Sequence, residues 1–519
     1  MPIRMVDDPE NSNQNNDDNG GGGNNSGGSG GGGGLLALLP LLFSLGRGKG
    51  IIVIILLAVG AYFFLGKGCN TTSAIQNIFS QSGYNYDPAK FAQASVYEGL
   101  DADNSKNPLP EAISLLRFAP KRLNQGQQGS CVAWSSAYAA QTIAIAAATG
   151  KDPNEIAFSP SYLYNQIRLQ GCDGSYVENA METMQKNGGM PLSEYPYSDQ
   201  DCNNVPTDQQ LLEGKQNVIH GFTRLTDGDN VNAINIRAIK EHLSKDAPVV
   251  IGMMVGSSFM EGMKGQDLWT PQGMDETQTG MGGHAMCVIG YDDSKYGGAF
   301  QIMNSWGSDW GNNGIAWVRY GDFKNYVREA YGVDPLPKAS NVANVPLECT
   351  IGLVENTSKK YISLRTTGGN VFETSSPIQK GTRFKIEVKN VTPCYVYIFG
   401  QETDGSSYIL FPYSSKHYPY CGITGYRLFP RAQSLMADSI GNKDQMAIVV
   451  SKDSLDYNQL NQQISRSSQS TYAGKVNEAL QSILISSAKF SNTTDGTIYF
   501  KVDANSNKAV ASIVTFDKQ

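Results

Sequence analysis

Residues 124–134 read NQGQQGSCVAW; about 150 residues downstream come GGHAMCVIGYDD at 282–293 and QIMNSWGSDWGNNG at 301–314. The first stretch places Gln125 six residues before Cys131. The second places His284 between two glycines and an apolar run, and the third places Asn304 at the head of an Asn-Ser-Trp-Gly turn. A thiol, an imidazole and two carboxamides are the parts of a thiol acyl-transfer site. Cys131 is the candidate nucleophile, because a thiolate reacts far faster than a thiol. The Ala-rich, proline-free run after it ends at Gly150, so a buried helix is expected to begin at Cys131. The positive end of that helix and a nearby imidazolium would both favour the thiolate, with a pKa of roughly 3.5–7.5.

The chain has four histidines. His220 and His242 sit in mixed polar segments and His417 in a Tyr-rich loop, where ordinary surface or packing roles are expected. Only His284 lies between Gly282-Gly283 and the strand-like run Ala285–Ile289, so it is the candidate general base and acid. Asn304 would fix its tautomer, and Trp306 would shield their hydrogen bond. Gln125 is the candidate oxyanion donor, together with the backbone N–H of Cys131.

These motifs resemble the papain-like (C1-type) cysteine peptidases of the bacterial kind, whose pattern is matched at Gln125-Gly126, Gly129-Ser130-Cys131, Gly283-His284-Ala285 and Asn304–Gly307, and continued at Trp310, Gly311 and Gly314. Gly171-Cys172-Asp173-Gly174 resembles the family's cleft-lining loop, which implies substrate-backbone binding at Gly174 and Ser175. The resemblance covers roughly residues 110–335. It implies a peptide-hydrolysing enzyme with peptide or protein substrates, no metal and no cofactor. Three departures stand out. Val132 replaces a tryptophan, the aromatic coming later as Trp134. Gln128 replaces a cysteine, so the resemblance implies that Cys172 pairs with Cys202 instead. Ser175 replaces a glycine of the cleft loop.

Size and composition bound the rest. At 519 residues the chain holds more than one domain. A net charge of −7 gives no basic field, so no nucleic-acid partner is expected. None of the eight cysteines forms a CxxC pair, which argues against a zinc knuckle. Cys287, inside an apolar run, reads as a small buried hydrophobe, and Cys394 and Cys421 are candidates for pairing across a hairpin.

Residues 1–34 are dominated by Gly, Asn, Asp and Ser and read as a disordered tail. Residues 35–68 read as a transmembrane region. Its apolar blocks, Leu35–Leu45 and Ile51–Leu65, are split by Gly-Arg-Gly-Lys-Gly. The first, about 16 Å as helix, is too short to span a core of about 30 Å. One span near 51–65 is expected, with Arg47 and Lys49 favouring an inside N-terminus and a periplasmic or extracellular enzyme domain. Residues 69–109 read as a tether with one short helix near Pro88–Ser95, too short for a long helical pro-region, so zymogen control is not expected.

The fold expected for 110–335 is α+β, a papain-like pair of subdomains: a helical half, then a β-barrel-like half with strands near 248–255, 285–291, 300–304 and 315–320. Residues 336–346 read as a linker. In 347–519, period-2 runs at 384–388, 395–399, 408–411, 446–450 and 497–502 point to a β-sandwich-like accessory domain. Part of it resembles an uncharacterised β domain found beside bacterial peptidases and kinases. Tyr395, Tyr397, Tyr408, Tyr413, Tyr418 and Tyr420 read as ordinary sheet residues or, less favoured, a binding face. Two other functions fit the same motifs: a non-catalytic peptide-binding or adhesion protein, and a cysteine acyltransferase.

Overall fold

The computed structural model describes residues 2–8, 83–337, 345–503 and 507–519. The apolar blocks 35–45 and 51–65, the expected span among them, lie outside the described residues, as does most of the linker at 336–346.

The alanine-rich run after Cys131 forms one helix, Cys131–Thr149, that closes on Gly150 in the left-handed conformation at φ +73°. Gly150 carries no Cβ, so this turn is unstrained. The middle of the helix, Trp134–Gln141, is π-wound and wholly buried. Among the described residues this is the one helix long and apolar enough to cross a membrane, but 83% of its apolar window is buried in the protein core. Two helices pack nearby, Pro160–Ile167 and Val177–Asn187. Ser159 caps the first, its hydroxyl accepting from Tyr162 N–H.

The β half is an eight-stranded, mostly antiparallel sheet. Its order is Phe222–Arg224, Val327–Val333, Val249–Val255, Gly282–Asp292, Ala299–Met303, Ile315–Arg319 and Leu268–Trp269, with Ala112–Ser114 joined to Gly282–Asp292. The helices and sheet share one apolar core. All four strands expected here form.

Residues 347–519 form two seven-stranded sheets, the first of which also takes in a strand from residues 3–7. Val396, Ile398 and Ile448 meet Ile351 and Ile386 between the sheets. The alternate residues Tyr395, Tyr397 and Phe399 point the other way, under the helices Tyr457–Arg466 and Tyr472–Ala479. Tyr395, Tyr397 and Tyr420 are therefore buried sheet residues, whereas Tyr408, Tyr413 and Tyr418 are half-buried. Both helices were missed in the sequence, where the period-2 runs dominated.

Three other expectations need correction. Residues 3–7 are not part of a disordered tail: Ile3–Asp7 pairs antiparallel with Gln433–Ala437, completing a sheet edge and burying Ile3. Residues 83–109 are not a free tether, because they run in contact with both folded domains. Cys394 and Cys421 lie opposite one another in register but remain thiols, with the Cys349 thiol against Cys394. The Cys172–Cys202 bond is formed.

Candidate active site

The site forms where the helix starting at Cys131 meets the strand Gly282–Asp292. Ala285 N–H points at Cys131 Sγ, 3.5 Å away, which brings the strand position of His284 beside the thiol. His284 Nε2 lies 2.7 Å from Asn304 Oδ1. That oxygen also accepts from Ser305 N–H at 2.7 Å, which fixes the amide orientation. An accepting oxygen requires a proton on Nε2, so the neutral ring keeps a bare Nδ1. Trp306 stacks on the imidazole, ring centroids 4.2 Å apart, and is edged by Phe259 and Trp310. Water is thereby kept from the His284–Asn304 bond.

Gln125 is fully buried. Ser305 Oγ donates to its Oε1 at 2.6 Å, so its Nε2 faces the opposite way and donates to Gln128 O at 2.9 Å. Sequence reasoning picked out Gln125 but gave Ser305 no role beyond the motif. In the carboxamide's fixed orientation, Ser305 does the orienting. Gln128 receives a hydrogen bond where relatives have a cysteine, and the disulfide closes without it. Trp134 packs edge-on against Tyr138 and Tyr197.

The structure sets Ala285 N–H against the Cys131 thiol, joins His284 to Asn304 and Trp306 and joins Gln125 to Ser305, and it adds an occupant at Gly174 and Ser175. Asn85 N–H donates to Ser175 O at 3.0 Å and Ser175 N–H donates to Gly83 O at 2.8 Å, a parallel bridge centred on Tyr84. Gly83 passes so close to Gly174 that a Cβ on Gly174 would meet Gly83 O at 2.2 Å. Tyr84 is 6% exposed, its ring inserted against Gly252 and Gly283, where a Cβ would come within 2.1 Å and 2.6 Å of it. Its buried hydroxyl and that of Tyr331 both lie near the Glu329 carboxyl. Gly174 and Ser175, expected to bind substrate backbone, thus hold the chain's own backbone.

Sequence reasoning missed Tyr84, Glu329, Gly252 and the slot they form. Two signals were present: aromatic Tyr84 and Tyr86 in a polar stretch, and Asp87-Pro88, which caps the helix Pro88–Gln93 through Asp87 Oδ1. That helix buries Phe91 edge-on to Tyr331 at 5.4 Å, and so fixes the segment just after the slot.

Burial works against charge on both groups of the site. Burial pushes the Cys131 thiol up to about 12, although the N–H groups of Ala285, Val132 and Cys131 pull it down. Burial lowers His284 to about 4 against the opposing Asn304 bond. Burial thus opposes the charged form of each group, in the direction opposite to the pull of the helix end on the thiolate. Desolvation shifts a fully buried group by up to 3–5 pKa units, whereas a helix terminus supplies about 0.3–1 kcal/mol, below one unit. Glu329 is raised from 4.5 to about 8, chiefly by burial, with the Tyr84 and Tyr331 hydroxyls opposing. Among the described residues, no group of three His, Cys, Asp or Glu side chains is placed to hold a metal.

Residues 119–333 match the family described as papain family cysteine protease. This stretch is a papain-family cysteine peptidase domain. It is 31% identical over 196 residues to cathepsin K of Mus musculus, covering 37% of this chain and 54% of that protein. It is 30% identical over 229 residues to an uncharacterized peptidase C1-like protein of Acanthamoeba polyphaga mimivirus, covering 40% of this chain and 64% of that one. The chain thus spans between about half and two thirds of these relatives. Among solved structures it is similar to xylellain, a cysteine protease from Xylella fastidiosa: 21% identity, TM-score 0.41, 50% of this chain and 98% of that one.

Proposed function

We propose that the chain is a thiol peptidase that hydrolyses peptide bonds through Cys131, His284 and Asn304, in a state held closed by residues 83–87. The observation that carries the reading is the His284–Asn304 bond, stacked under Trp306 and set beside the Cys131 thiol.

Once solvent and substrate enter, Nδ1 of His284 takes the thiol proton and the sulfur attacks the carbonyl carbon. The oxyanion receives N–H bonds from Gln125 Nε2 and the Cys131 backbone. The imidazolium then gives its proton to the departing amine, leaving a thioester at Cys131, and water, deprotonated by His284, releases the acid. Gly174 and Ser175 hold the substrate backbone when Gly83–Asn85 withdraws.

An epoxysuccinyl probe and a peptide library test this. Labelling that disappears in Cys131→Ala, together with cleaved peptides, supports the reading. A well-folded protein with its cleft opened that labels but cleaves nothing would favour an acyltransferase, and one that neither labels nor cleaves would favour a peptide-binding protein.

The proposal includes attachment to a membrane through residues 35–65, with the peptidase domain periplasmic or extracellular. A single crossing there would put residues 3–7 and 83–519 on opposite faces, yet they pair in one sheet.

A further inference from the structure

The segment that fills the cleft is held on both sides by the C-terminal domain. Downstream, residues 95–107 run between the two domains and bond to each. Ser95 O accepts from Arg224 N–H at 2.8 Å and Tyr97 N–H donates to Arg224 O at 3.2 Å, on the peptidase side. Val96 N–H donates to Lys416 O at 2.6 Å, and Asp101 N–H to Tyr426 O at 2.8 Å, on the other side. The buried Arg427 donates from Nε to Glu98 O at 2.9 Å, and His417 pairs with the Glu98 carboxylate. Asn107 exchanges hydrogen bonds with the Tyr426 backbone at 2.9 and 3.0 Å. The contact is close enough that a Cβ on Gly425 would meet Asn107 Oδ1 at 2.7 Å and Leu100 at 2.9 Å.

Upstream, the same domain holds residues 3–7 through five paired positions. Tyr408 Oη bonds both Ile3 N and Ile3 O, at 3.0 and 2.9 Å, and Lys385 pairs with Asp8 at 2.8 Å.

We propose that the C-terminal domain, residues 347–519, acts as a clamp that grips the chain before and after residues 83–87, so that the cleft is gated reversibly instead of being opened by one backbone cut. This rests on residues 83–87 closing a peptidase site, as proposed above. Once cut, a segment held only by its contacts with the peptidase domain would be lost each time those contacts opened. Anchored at both ends on the same body, each piece stays at high local concentration and reseats. The grip is shared backbone hydrogen bonding and burial, so it does not depend on the covalent link through residues 102–105, which are exposed.

The test uses the full chain with a recognition site for a sequence-specific protease placed in the exposed turn at 102–105. After cutting under native conditions, gel filtration reads whether the N-terminal fragment stays bound. Alkylation of Cys131 by iodoacetamide reads cleft access without needing turnover. The clamp predicts co-elution and an alkylation rate within about twofold of the uncut protein. It also predicts a rise of at least about tenfold when the cut protein carries Gly425→Ala, which wedges the clamp from Leu100 and Asn107. His417→Gln, which removes the Glu98 partner, is the second variant should Gly425→Ala fail to fold. Release of the fragment on cutting alone overturns the proposal, and so does an unchanged alkylation rate in the folded variants. If alkylation behaves as predicted but no peptide is cleaved, the clamp stands and the peptidase reading falls.

Discussion

Replacing Tyr84 with alanine should open the cleft by an amount that follows from its burial. The ring is 6% exposed and fills a slot walled by Gly252 and Gly283, which have no side chains to close the space it leaves. An aromatic side chain buries about 150–250 Å², worth roughly 4–6 kcal/mol at about 25 cal/mol per Å². Taking the hydroxyl out of water opposes this by about 1–3 kcal/mol. The two backbone bonds to Ser175 survive in the variant, so the net loss lies between about 1 and 5 kcal/mol, with a middle value of about 3 kcal/mol. At 1.4 kcal/mol per tenfold, that middle value raises the open fraction about 140-fold. While the closed state dominates, the alkylation rate of Cys131 follows that fraction, so iodoacetamide labelling quenched over time and read by mass spectrometry gives the ratio directly. Tyr84→Phe keeps the ring and should label within severalfold of the unaltered protein. Equal labelling of the alanine variant and the unaltered protein, at matching circular dichroism, would refute the view that this side chain closes the site.

His284→Ala should lower peptide turnover by at least about 10²–10⁴-fold while thermal melting still shows a folded protein; near-full activity would remove His284 from the mechanism. Glu329 makes stability pH-dependent. Its carboxyl rises from 4.5 to about 8 on folding, so the folded state holds a proton that the unfolded state releases. Stability therefore falls as pH climbs through that window, by about 1.4 kcal/mol per unit, and levels off above it. Glu329→Gln should flatten the dependence of the melting temperature over pH 5–8, and an unchanged slope would mean that another group sets it. In membrane preparations, reporter tags at the two chain ends should be accessible from the same face. Opposite accessibility would contradict pairing of residues 3–7 with 433–437 within one chain.

The peptidase half was legible because its signals are local. Cys131 opens an apolar, proline-free run, and His284 heads a buried strand. Such patterns fix element type without reference to partners, and the order of the motifs then brings the side chains together. The accessory sheets were legible for the same reason, through alternation in runs such as Tyr395–Phe399. The segment 83–107 was not. Its residues are polar and irregular, and its structure comes from backbone bonds to Ser175, Arg224, Lys416 and Tyr426, all at least 90 positions away. The strand at 3–7 was hidden likewise, since five residues beside a Gly/Asn-rich run acquire structure only from the sheet edge that receives them.

The same division explains why burial opposes the expected thiolate. Reading Cys131 from its own helix gives a favourable dipole, a local term of about 0.3–1 kcal/mol. Reading it from the whole chain adds the burial of the sulfur and of the imidazole, both fully enclosed in the fold. Removing solvent from two groups that must both become charged costs more than one helix end returns, so burial works against ionisation of the pair. On the proposed mechanism, withdrawal of Tyr84 would admit solvent and substrate to one cleft, and the solvent would favour passage of a proton from Cys131 to His284.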